Sequence, residues 1–562
     1  MTILPKDREL IEPSFSPIAL KLLNERYLMR DDDGHVCETP KEMLWRVAMA
    51  VAQGKEMLAA TYYTAMARKD FLPNSPTLMN AGKPGGQLSA CYVLDVPDSM
   101  DGIFEALKRQ ALIHKSGGGT GFNFSKLRPK GAIVSTTKGK ASGPVSFMEL
   151  FNTATEKVLQ GGMRRGANMG ILNVDHPDIL DFIDAKAIDG RLSNFNISIG
   201  VTDLFMHRVL NDNAEAAAIW RQIVRKARNT GDPGIVFLDT INRDNPTPHL
   251  GRLEATNPCG ETPLYPNEAC NLGSINLSNF VADGEVDYNR LRFTTQIALS
   301  FLDRVIDINC YPFPEIKEAV LRTRKVGLGV MGWADMLYKL GIPYDSEEAL
   351  ALAENVMSSI QRRARLCGSI GQDYVHPYPA WRAGSLRQRN ATITCIAPTG
   401  TISLLADCSS GIEPVYALKH ERKALANKDG EEMIFAFTHP EYEKALYDAN
   451  DHRIADGVFQ TAYTISPEAH IRMQAAFQRH TDLAVSKTVN LPSTATADDV
   501  ERVFLFAWMS GCKGVTVYRD GSKSGQVLQS TDTTHCPECG GVLEHAEGCA
   551  ICKCCGWSPC GV

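Results

Sequence analysis

Hydrophobic and polar positions along the chain follow two periodicities, one typical of helices and one typical of extended strands. Apolar residues at helical spacing predict helices over residues 42–68, 101–114 and 288–309. Alternating or continuous apolar runs predict strands over residues 89–96, 194–199 and 391–396. Residues 1–70 are therefore predicted to be a polar helical region, and a mixture of helices and strands follows it.

Two glycine-containing turns connect predicted elements. The run Ser116-Gly-Gly-Gly-Thr-Gly121 follows a predicted helix, where it would cap the helix or let a ligand approach the backbone closely. Residues 397–403, Ala-Pro-Thr-Gly-Thr-Ile-Ser, connect a predicted strand to a helix start. Free backbone amides at such a start favour a bound anion such as phosphate, and a plain capped turn is the alternative.

Two further glycine-rich loops carry cations. Lys140 lies in the segment 135–142, and Arg164 and Arg165 lie in the segment 161–170. Backbone amides and cations together favour phosphate contacts. Mobile surface loops are the alternative.

Length and composition indicate a large globular protein. The 562 residues exceed one ordinary hydrophobic core and fit one very large domain with appendages. The formal net charge of −6 provides no basic field for duplex nucleic acid. No stretch of 18 apolar residues occurs and the N-terminus lacks an apolar signal core, so we expect a cytoplasmic protein without a membrane span.

The cysteines are concentrated at the C-terminus, where seven of the sixteen fall within residues 536–562. Paired C-x-x-C spacing predicts a tetrahedral zinc site. The predicted ligands are Cys536, Cys539, Cys549 and Cys552. A set that uses Cys552 with Cys555 is the alternative. Residues 521–535, which precede the cluster, are polar and poor in apolar side chains, so they are predicted to be a flexible linker.

One short stretch, Asn257-Pro-Cys259-Gly-Glu261, places a thiol two residues from an amide and two residues from a carboxylate. In an extended loop these three side chains would point the same way and converge on one small substrate. We predict a buried Cys259 thiol that attacks a polyol, with Glu261 accepting a hydroxyl proton and Asn257 orienting the substrate. A buried inert cysteine is the alternative.

This stretch, followed by Ala-Cys-Asn-Leu-Gly-Ser-Ile-Asn-Leu over residues 269–277, resembles the finger loop of ribonucleotide reductases. The similarity extends from about residue 71 to residue 560 and is greatest to the dimeric form of the adenosylcobalamin-dependent (class II) branch. The resemblance implies an α/β fold, namely a ten-stranded barrel of two antiparallel-arranged five-stranded halves with the finger loop through its centre. The implied order is an N-terminal helical region over residues 1–70, a catalytic barrel over 71–520, a linker over 521–535 and a zinc-ribbon-like redox tail over 536–562.

The resemblance also implies a radical mechanism. Adenosylcobalamin would generate a thiyl radical on Cys259, and this radical would remove the 3′ hydrogen of a ribonucleotide. Glu261 would act as general base on the 3′ hydroxyl, and Asn257 would orient the substrate hydroxyls.

Two pairs of cysteines match the redox pairs of the family. Cys91 and Cys270 correspond to the dithiol whose oxidation to a disulfide delivers the two electrons that the removal of one hydroxyl requires. Cys555 and Cys560 correspond to the shuttle pair of the tail, which re-reduces that disulfide by exchange. An external thioredoxin-like dithiol is expected to reset the tail.

The matched motifs imply further binding residues. Those expected to contact the substrate are Ser75, Ala90, Cys91, Gly119, Gly121, Asn257, Pro258, Cys259, Gly260, Glu261, Pro398, Thr399, Gly400, Thr401 and Ile402. The cationic loops match the specificity loops of the family, so a deoxynucleotide effector at the interface of a homodimer is expected to contact Lys140, Arg164 and Arg165. The dimeric branch implies diphosphate substrates, and no N-terminal ATP-binding cone with dATP control is expected.

Three alternatives imply different chemistry. A class I large subunit imports its radical through two adjacent tyrosines, but here Val517 precedes Tyr518, and the glycyl-radical motif Arg-Val-x-Gly-Tyr is also missing. Residues 327–332 match the dinucleotide pattern G-x-G-x-x-G but follow polar residues instead of a buried strand, so nicotinamide binding is not expected. A zinc-ribbon nucleic-acid binder is not expected because the tail is neither basic nor rich in aromatic residues.

Overall fold

The computed structural model describes residues 10–134, 138–160, 164–188, 190–369, 376–383, 385–424, 433–448 and 451–522, and the short segments 529–530, 543–546 and 549–552. In this part of the chain, helices alternate with the strands of one large mixed sheet. The helices α1 to α18 are, in chain order, Pro17–Arg26, Pro40–Val51, Glu56–Ala67, Ser75–Asn80, Met100–Lys115, Pro144–Lys157, Ile179–Ile183, Asp203–Leu210, Ala214–Thr230, Leu238–Arg243, Tyr288–Ile308, Pro314–Thr323, Trp333–Leu340, Glu347–Ser369, Ile402–Ala406, Pro440–Tyr447, Pro467–Gln478 and Ala497–Met509. Two short 3-10 helices cover Pro248–Leu250 and Leu277–Phe280.

Local sequence explains where the first helices begin. The Ser16 side chain accepts a hydrogen bond from the Ala19 amide at the start of α1. Thr39 and Glu42 form a reciprocal capping box at the start of α2. A proline occupies the first turn of both helices, where its missing N–H has no intrahelical acceptor to lose. The structure thus confirms the predicted helical character of the N-terminal region.

Ten strands form the large sheet and are numbered here in chain order. They are β1 Phe71–Pro73, β2 Cys91–Leu94, β3 Gly119–Asn123, β4 Asn168–Asn173, β5 Phe195–Val201, β6 Gly234–Phe237, β7 Ala269–Asn276, β8 Val326–Met331, β9 Thr488–Leu491 and β10 Gly514–Arg519. Neighbours follow the order β1–β7–β2–β3–β4–β5–β6–β10–β9, and β8 also pairs with β7. Strands β2 to β6 are mutually parallel, as are β7 with β8 and β9 with β10. The antiparallel pairs β2–β7 and β6–β10 join these groups.

The segment 391–396 connects two strands that the sheet order leaves apart. Single bridges in parallel register pair Leu328 of β8 with Thr394, and Ile396 with Val485. The segment therefore lies between β8 and Val485, a residue that precedes β9 in the chain.

Five smaller antiparallel units lie outside this sheet in the described part of the chain. They are Leu159–Gln160 with Arg164–Arg165, Ala255–Thr256 with Pro263–Leu264, Val281–Ala282 with Glu285–Val286, Lys419–Ala424 with Met433–Thr438 and Gln529–Ser530, and Leu543–Ala546 with Cys549–Cys552.

Most of the predicted elements are confirmed within a few residues. Strands β2 and β5 and helices α5 and α11 occupy the predicted segments 89–96, 194–199, 101–114 and 288–309. The predicted strand over residues 391–396 is extended, but it pairs with its neighbours only through single bridges at Thr394 and Ile396.

Three expectations about local structure differ from the structure. The predicted helix over residues 42–68 is two helices, α2 and α3, which residues 52–55 separate. Gly119 and Gly121 were placed in a cap or turn, but they lie in β3. Gln529–Ser530, within the predicted linker 521–535, pairs with the strand Lys419–Ala424, whereas residues 523–528 and 531–535 lie outside the described residues. No helix in the described part of the chain has the length and apolar character that crossing a membrane requires.

Candidate active site

The antiparallel strands Ala255–Thr256 and Pro263–Leu264, with the residues between them, form a β-hairpin that we call the finger hairpin. At its tip, Gly260 has a φ of +84° and donates its N–H to the Asn257 carbonyl at 3.1 Å, which closes a turn. The side-chain oxygen of Asn257 accepts the Thr262 N–H at 3.0 Å. The prediction of an extended loop over residues 257–261 was wrong, since these residues form a turn.

Strand β3 accommodates the finger hairpin because two of its residues lack side chains. A Cβ atom on Gly121 would lie 1.7 Å from the Thr256 carbonyl oxygen, and one on Gly119 would lie 2.8 Å from the Pro258 ring. Asn196 of β5 donates its side-chain N–H to the Pro258 carbonyl at 2.8 Å. The two glycines, predicted as substrate contacts, therefore make room for the finger hairpin.

Cys259 lies at the tip of the finger hairpin and is exposed, so the predicted burial of this thiol was wrong. Its neighbours Asn257 and Glu261 are each only 2% exposed. Burial raises the pKa of the Cys91 and Cys395 thiols, and nearby groups that include Cys259 raise it further. Cys259 is thus open to an incoming molecule and still within electrostatic reach of the buried thiols.

Cys91 of β2 and Cys270 of β7 lie directly opposite each other in an antiparallel pair. Side chains of such a pair leave the same face of the sheet at a separation that a disulfide can bridge. Both cysteines are buried thiols. Burial raises the pKa of each, so both remain protonated at neutral pH. The Asn257 amide donates to the Cys91 sulfur at 3.1 Å, which links this dithiol to the finger hairpin.

Glu261 is a buried carboxyl group with one unused oxygen. Burial raises its pKa to about 7, although hydrogen bonds from its own backbone N–H and from Asn257 favour the charged form. Its Oε2 atom has no hydrogen-bond partner among the described residues. A carboxyl group with this pKa exchanges a proton near neutral pH, and the unused oxygen is a natural acceptor for a substrate hydroxyl.

Sequence reasoning missed three buried groups next to this site. Lys325 forms an ion pair with Glu268 at 2.6 Å, and both side chains are 1% exposed. The Cys270 thiol points to the Lys325 carbonyl at 3.7 Å. The Cys395 thiol donates to the Glu261 backbone carbonyl at 3.4 Å. Glu268 stands two residues before Cys270, so its position in the sequence could have indicated that it lies near the site. Lys325 and Cys395 belong to distant segments, and no signal in the sequence pointed to them.

Three of the remaining candidate substrate residues have well-defined local contacts. The Ala90 N–H donates to the Cys270 carbonyl at 3.3 Å, so Ala90 adjoins the dithiol. Ser75 begins α4, and its hydroxyl lies 2.7 Å from the Tyr27 hydroxyl. Thr399 has a φ of +54°, and its hydroxyl oxygen accepts the Gly411 N–H at 2.7 Å.

The predicted turn 397–403 leads into a helix of five residues, α15. The turn begins two residues after Cys395, whose thiol contacts the finger hairpin. The candidate phosphate-binding residues of this turn are Pro398, Thr399, Gly400, Thr401 and Ile402. Gly400 is exposed, and a Cβ atom there would meet nothing within 4 Å.

The predicted effector and tail residues are only partly described. Lys140 is exposed. Arg164 and Arg165 form a short strand paired with Leu159–Gln160, and their side chains lie outside the described part of the structure. Cys549 and Cys552 mark the two ends of one strand of a hairpin, again without described side chains. The other tail cysteines, Cys536, Cys539, Cys555 and Cys560, lie outside the described residues.

The site combines an exposed thiol at the tip of a hairpin with a nearby carboxyl group and with two thiols that face each other across one strand pair. In an α/β protein, this set of groups suits thiol redox chemistry. A family model described as "Ribonucleotide reductase, barrel domain" matches residues 89–215, 212–370 and 387–518. A second, "Ribonucleotide reductase, all-alpha domain", matches residues 13–86. The chain belongs to the ribonucleotide reductase family.

Individual relatives agree with this assignment. A vitamin B12-dependent ribonucleoside-diphosphate reductase of Thermoplasma acidophilum is 44% identical, covering 94% of this chain and 82% of its own length. One of Mycobacterium tuberculosis is 46% identical, covering 92% of this chain and 81% of its own length. The solved structure of the Actinobacillus ureae class Id ribonucleotide reductase alpha subunit has a TM-score of 0.75 at 23% identity, covering 90% of this chain and 97% of that chain, which supports the fold.

Replacing Gly121 by alanine should displace the finger hairpin, because the new methyl group would lie 1.7 Å from the Thr256 carbonyl oxygen. We expect destabilisation of about 1–3 kcal/mol and faster proteolysis within the hairpin. Thermal unfolding and limited proteolysis measure the two effects. The matched control is Gly368→Ala in α14, where a Cβ atom meets nothing within 4 Å and helix propensity favours alanine. Equal melting temperatures for the two variants would contradict the close approach.

Glu261→Gln should change stability in a pH-dependent manner. Because burial raises the folded-state pKa of Glu261 from its ordinary value of 4.5 to about 7, the folded protein retains a proton that the unfolded chain releases between these values. Wild-type stability therefore falls as pH rises through this window, and glutamine does not titrate. Between pH 5 and pH 8 we expect the variant to gain about 2 kcal/mol relative to wild type. Parallel melting curves at the two pH values measure this, and a constant difference would refute the raised pKa.

Proposed function

We propose that this chain reduces ribonucleoside diphosphates to 2′-deoxyribonucleotides by a thiyl-radical mechanism that depends on adenosylcobalamin. The observation that carries the proposal is the convergence of the finger hairpin with the dithiol. The Asn257 amide touches the Cys91 sulfur at 3.1 Å, and Cys270 lies opposite Cys91 in the strand pair. The names of the relatives at 44–46% identity support both the substrate class and the cofactor.

We also propose that the large sheet closes into a ten-stranded barrel with the finger hairpin at its centre. The parallel strands β2 to β6 would form one half. The other half would consist of β7, β8, the segment 391–396, β9 and β10. The bridges of residues 394 and 396 support this closure, and β1 would then be an additional strand on β7.

Three residues of the finger hairpin have distinct roles in the proposed reaction. Cys259, exposed at the tip, exchanges a hydrogen atom with the 3′ carbon of the ribose. Glu261 takes the proton of the 3′ hydroxyl through the oxygen that has no protein partner. Asn257, whose side-chain oxygen is held by the Thr262 amide, orients the ribose through its amide group.

The dithiol supplies the electrons and the protons. The 2′ hydroxyl leaves as water with a proton from the Cys91 and Cys270 pair, and the two thiols become one disulfide. Cys259 then returns its hydrogen atom to the 3′ carbon. Ribonucleotide and dithiol are thus converted to deoxyribonucleotide, disulfide and water. Raised pKa values suit this role, since both sulfurs carry their protons at neutral pH.

The exposed side of the finger hairpin is where adenosylcobalamin would bind. Cys259 is exposed, and a Cβ atom on Gly260 would meet nothing within 4 Å. Adenosylcobalamin, when bound there, supplies a carbon-centred radical that can accept a hydrogen atom from a thiol. The residues of this chain that would face the cofactor are Cys259 and Gly260.

The class I alternative is not favoured. Relatives named as alpha subunits are 29–30% identical, and this chain spans about 60% of their length. Val517, which stands where a class I chain is expected to carry a tyrosine, is 1% exposed in the core. A radical relay of two adjacent tyrosines is therefore not available at Tyr518.

The peripheral residues complete the proposal. The substrate phosphates would bind at residues 398–402, and a deoxynucleotide effector would bind at Lys140, Arg164 and Arg165 across a homodimer interface. Zinc would be held by Cys536, Cys539, Cys549 and Cys552, since thiolates at paired C-x-x-C spacing suit tetrahedral zinc. Cys555 and Cys560 would carry electrons from a thioredoxin-like dithiol to the disulfide.

Purified protein with adenosylcobalamin and a dithiol should form deoxyribonucleotide without any second protein subunit. Cys259→Ser should abolish turnover, because an alcohol O–H bond does not yield its hydrogen atom as a thiol does. Nucleotide binding and melting temperature should stay unchanged. Cys37→Ser, which replaces an exposed cysteine of the N-terminal region, is the control and should keep full activity. Turnover by Cys259→Ser, or a requirement for a second subunit, would refute the proposed mechanism.

Two tail variants should separate zinc binding from electron transfer. Cys536→Ser should lose the bound zinc, as measured by metal analysis of the purified protein. Cys560→Ser should keep its zinc and one turnover of the pre-reduced enzyme, but should lose multiple turnover with a thioredoxin-like protein as reductant. Loss of zinc from Cys560→Ser together with retention in Cys536→Ser would reverse the two assignments.

A further inference from the structure

The proposed reaction does not explain the glycine pattern at residues 327–332, but the packing of these residues does. Gly327 and Gly329 lie in the buried strand β8. A Cβ atom on Gly329 would lie 2.1 Å from the Cys395 carbonyl oxygen, and one on Gly327 would lie 2.7 Å from the Cys395 Cβ atom. The two glycines therefore let the backbone around Cys395 pack directly on β8.

This close packing brings the Cys395 thiol to the finger hairpin. The sulfur, on a side chain that is 1% exposed, lies 3.4 Å from the backbone carbonyl oxygen of Glu261 and donates to it. The Ala484 N–H donates to the same oxygen at 2.8 Å. Two adjacent segments of the sheet wall thus hold one carbonyl group of the finger hairpin. Elsewhere along the same hairpin, Gly121 of β3 admits the Thr256 carbonyl.

The Cys395 thiol is protonated at neutral pH and can therefore act as a donor. Burial raises the pKa of Cys395, and the carboxylate of Glu261 and the thiols of Cys270, Cys91 and Cys259 raise it further. A protonated sulfur can donate only one hydrogen bond, and the carbonyl of Glu261 accepts it. The Glu261 carboxyl group accepts hydrogen bonds from its own backbone N–H and from Asn257, while Oε2 has no partner among the described residues. A shift of the Glu261 backbone would therefore move the carboxyl group as well.

We propose that Cys395 is a positioning residue whose thiol, by holding the backbone of Glu261, fixes the carboxyl group for the reaction. This inference rests on the proposed role of Glu261 as general base. Cys395 acts through Glu261 and is neither oxidised nor reduced. The pattern Gly327-x-Gly329 thus serves to bring this thiol within reach.

The test compares Cys395→Ala with Cys395→Ser in the full-length protein. Alanine removes the donor, and we expect kcat to fall about tenfold with KM changed by less than about twofold, because a small displacement of a catalytic group reduces rate more than binding. Serine retains an O–H donor at the same position and should restore kcat to within about threefold of wild type. Cys512→Ala is the matched control for the loss of a buried thiol, because Cys512 lies in the hydrophobic core and should keep wild-type kcat.

Two results would overturn the inference. Wild-type kcat in Cys395→Ala would show that the hydrogen bond is dispensable. A serine variant as slow as the alanine variant would show that a hydrogen-bond donor at this position does not restore the rate. Crystal structures of both variants test the inference without turnover. The Glu261 carboxyl group should move in the alanine variant and stay in place in the serine variant, and an unmoved carboxyl group in both would refute positioning. If the wild-type protein makes no deoxyribonucleotide, the proposed function fails, and these structures still decide whether Cys395 holds Glu261.

Discussion

The arrangement of the site depends on backbone packed directly against backbone where the finger hairpin meets the sheet. Such contact leaves no space for side chains, so strand β3 presents Gly121 to the Thr256 carbonyl and Gly119 to Pro258. Ala484 and Cys395 donate to the Glu261 carbonyl. These contacts hold the hairpin against several segments of the sheet. Asn257 of the hairpin in turn contacts Cys91 of β2, and the proposed chemistry relies on this contact.

Burial accounts for the protonation states that this chemistry needs. Removal from water disfavours charge, so the same effect keeps the Cys91 and Cys270 thiols protonated and raises the pKa of Glu261 to about 7. The ion pair of Lys325 and Glu268 lies behind Cys270 without disturbing this balance, because its opposite charges act against each other on the thiol. Cys259 is exposed, which leaves its thiol open to the bound partner that the proposed reaction requires.

Sequence patterns predicted the local elements and the candidate catalytic residues better than their arrangement. Period and turn chemistry are local, so α5, α11, β2 and β5 occupy the predicted segments. Strand pairing is not local. Cys91 and Cys270 were paired only through a family resemblance, and nothing in the pattern joined Cys395 to Glu261. The prediction that Cys259 is buried was wrong because burial also depends on how distant segments pack. The local sequence does not show which part of a hairpin faces solvent.

The unused oxygen of Glu261 shows how this fold separates stability from function. A buried acceptor without a donor costs about 1–3 kcal/mol, and the raised pKa adds a cost that grows until the group ionises. The surrounding backbone offsets this cost, since the Glu261 carbonyl and the Asn257 side chain are both satisfied within the sheet and the hairpin. Among the described residues, Oε2 is the atom of the carboxyl group without a hydrogen-bond partner. A hydroxyl group that donates to Oε2 removes the cost, so part of the binding energy of a polyol is already provided by the folded protein before the ligand arrives.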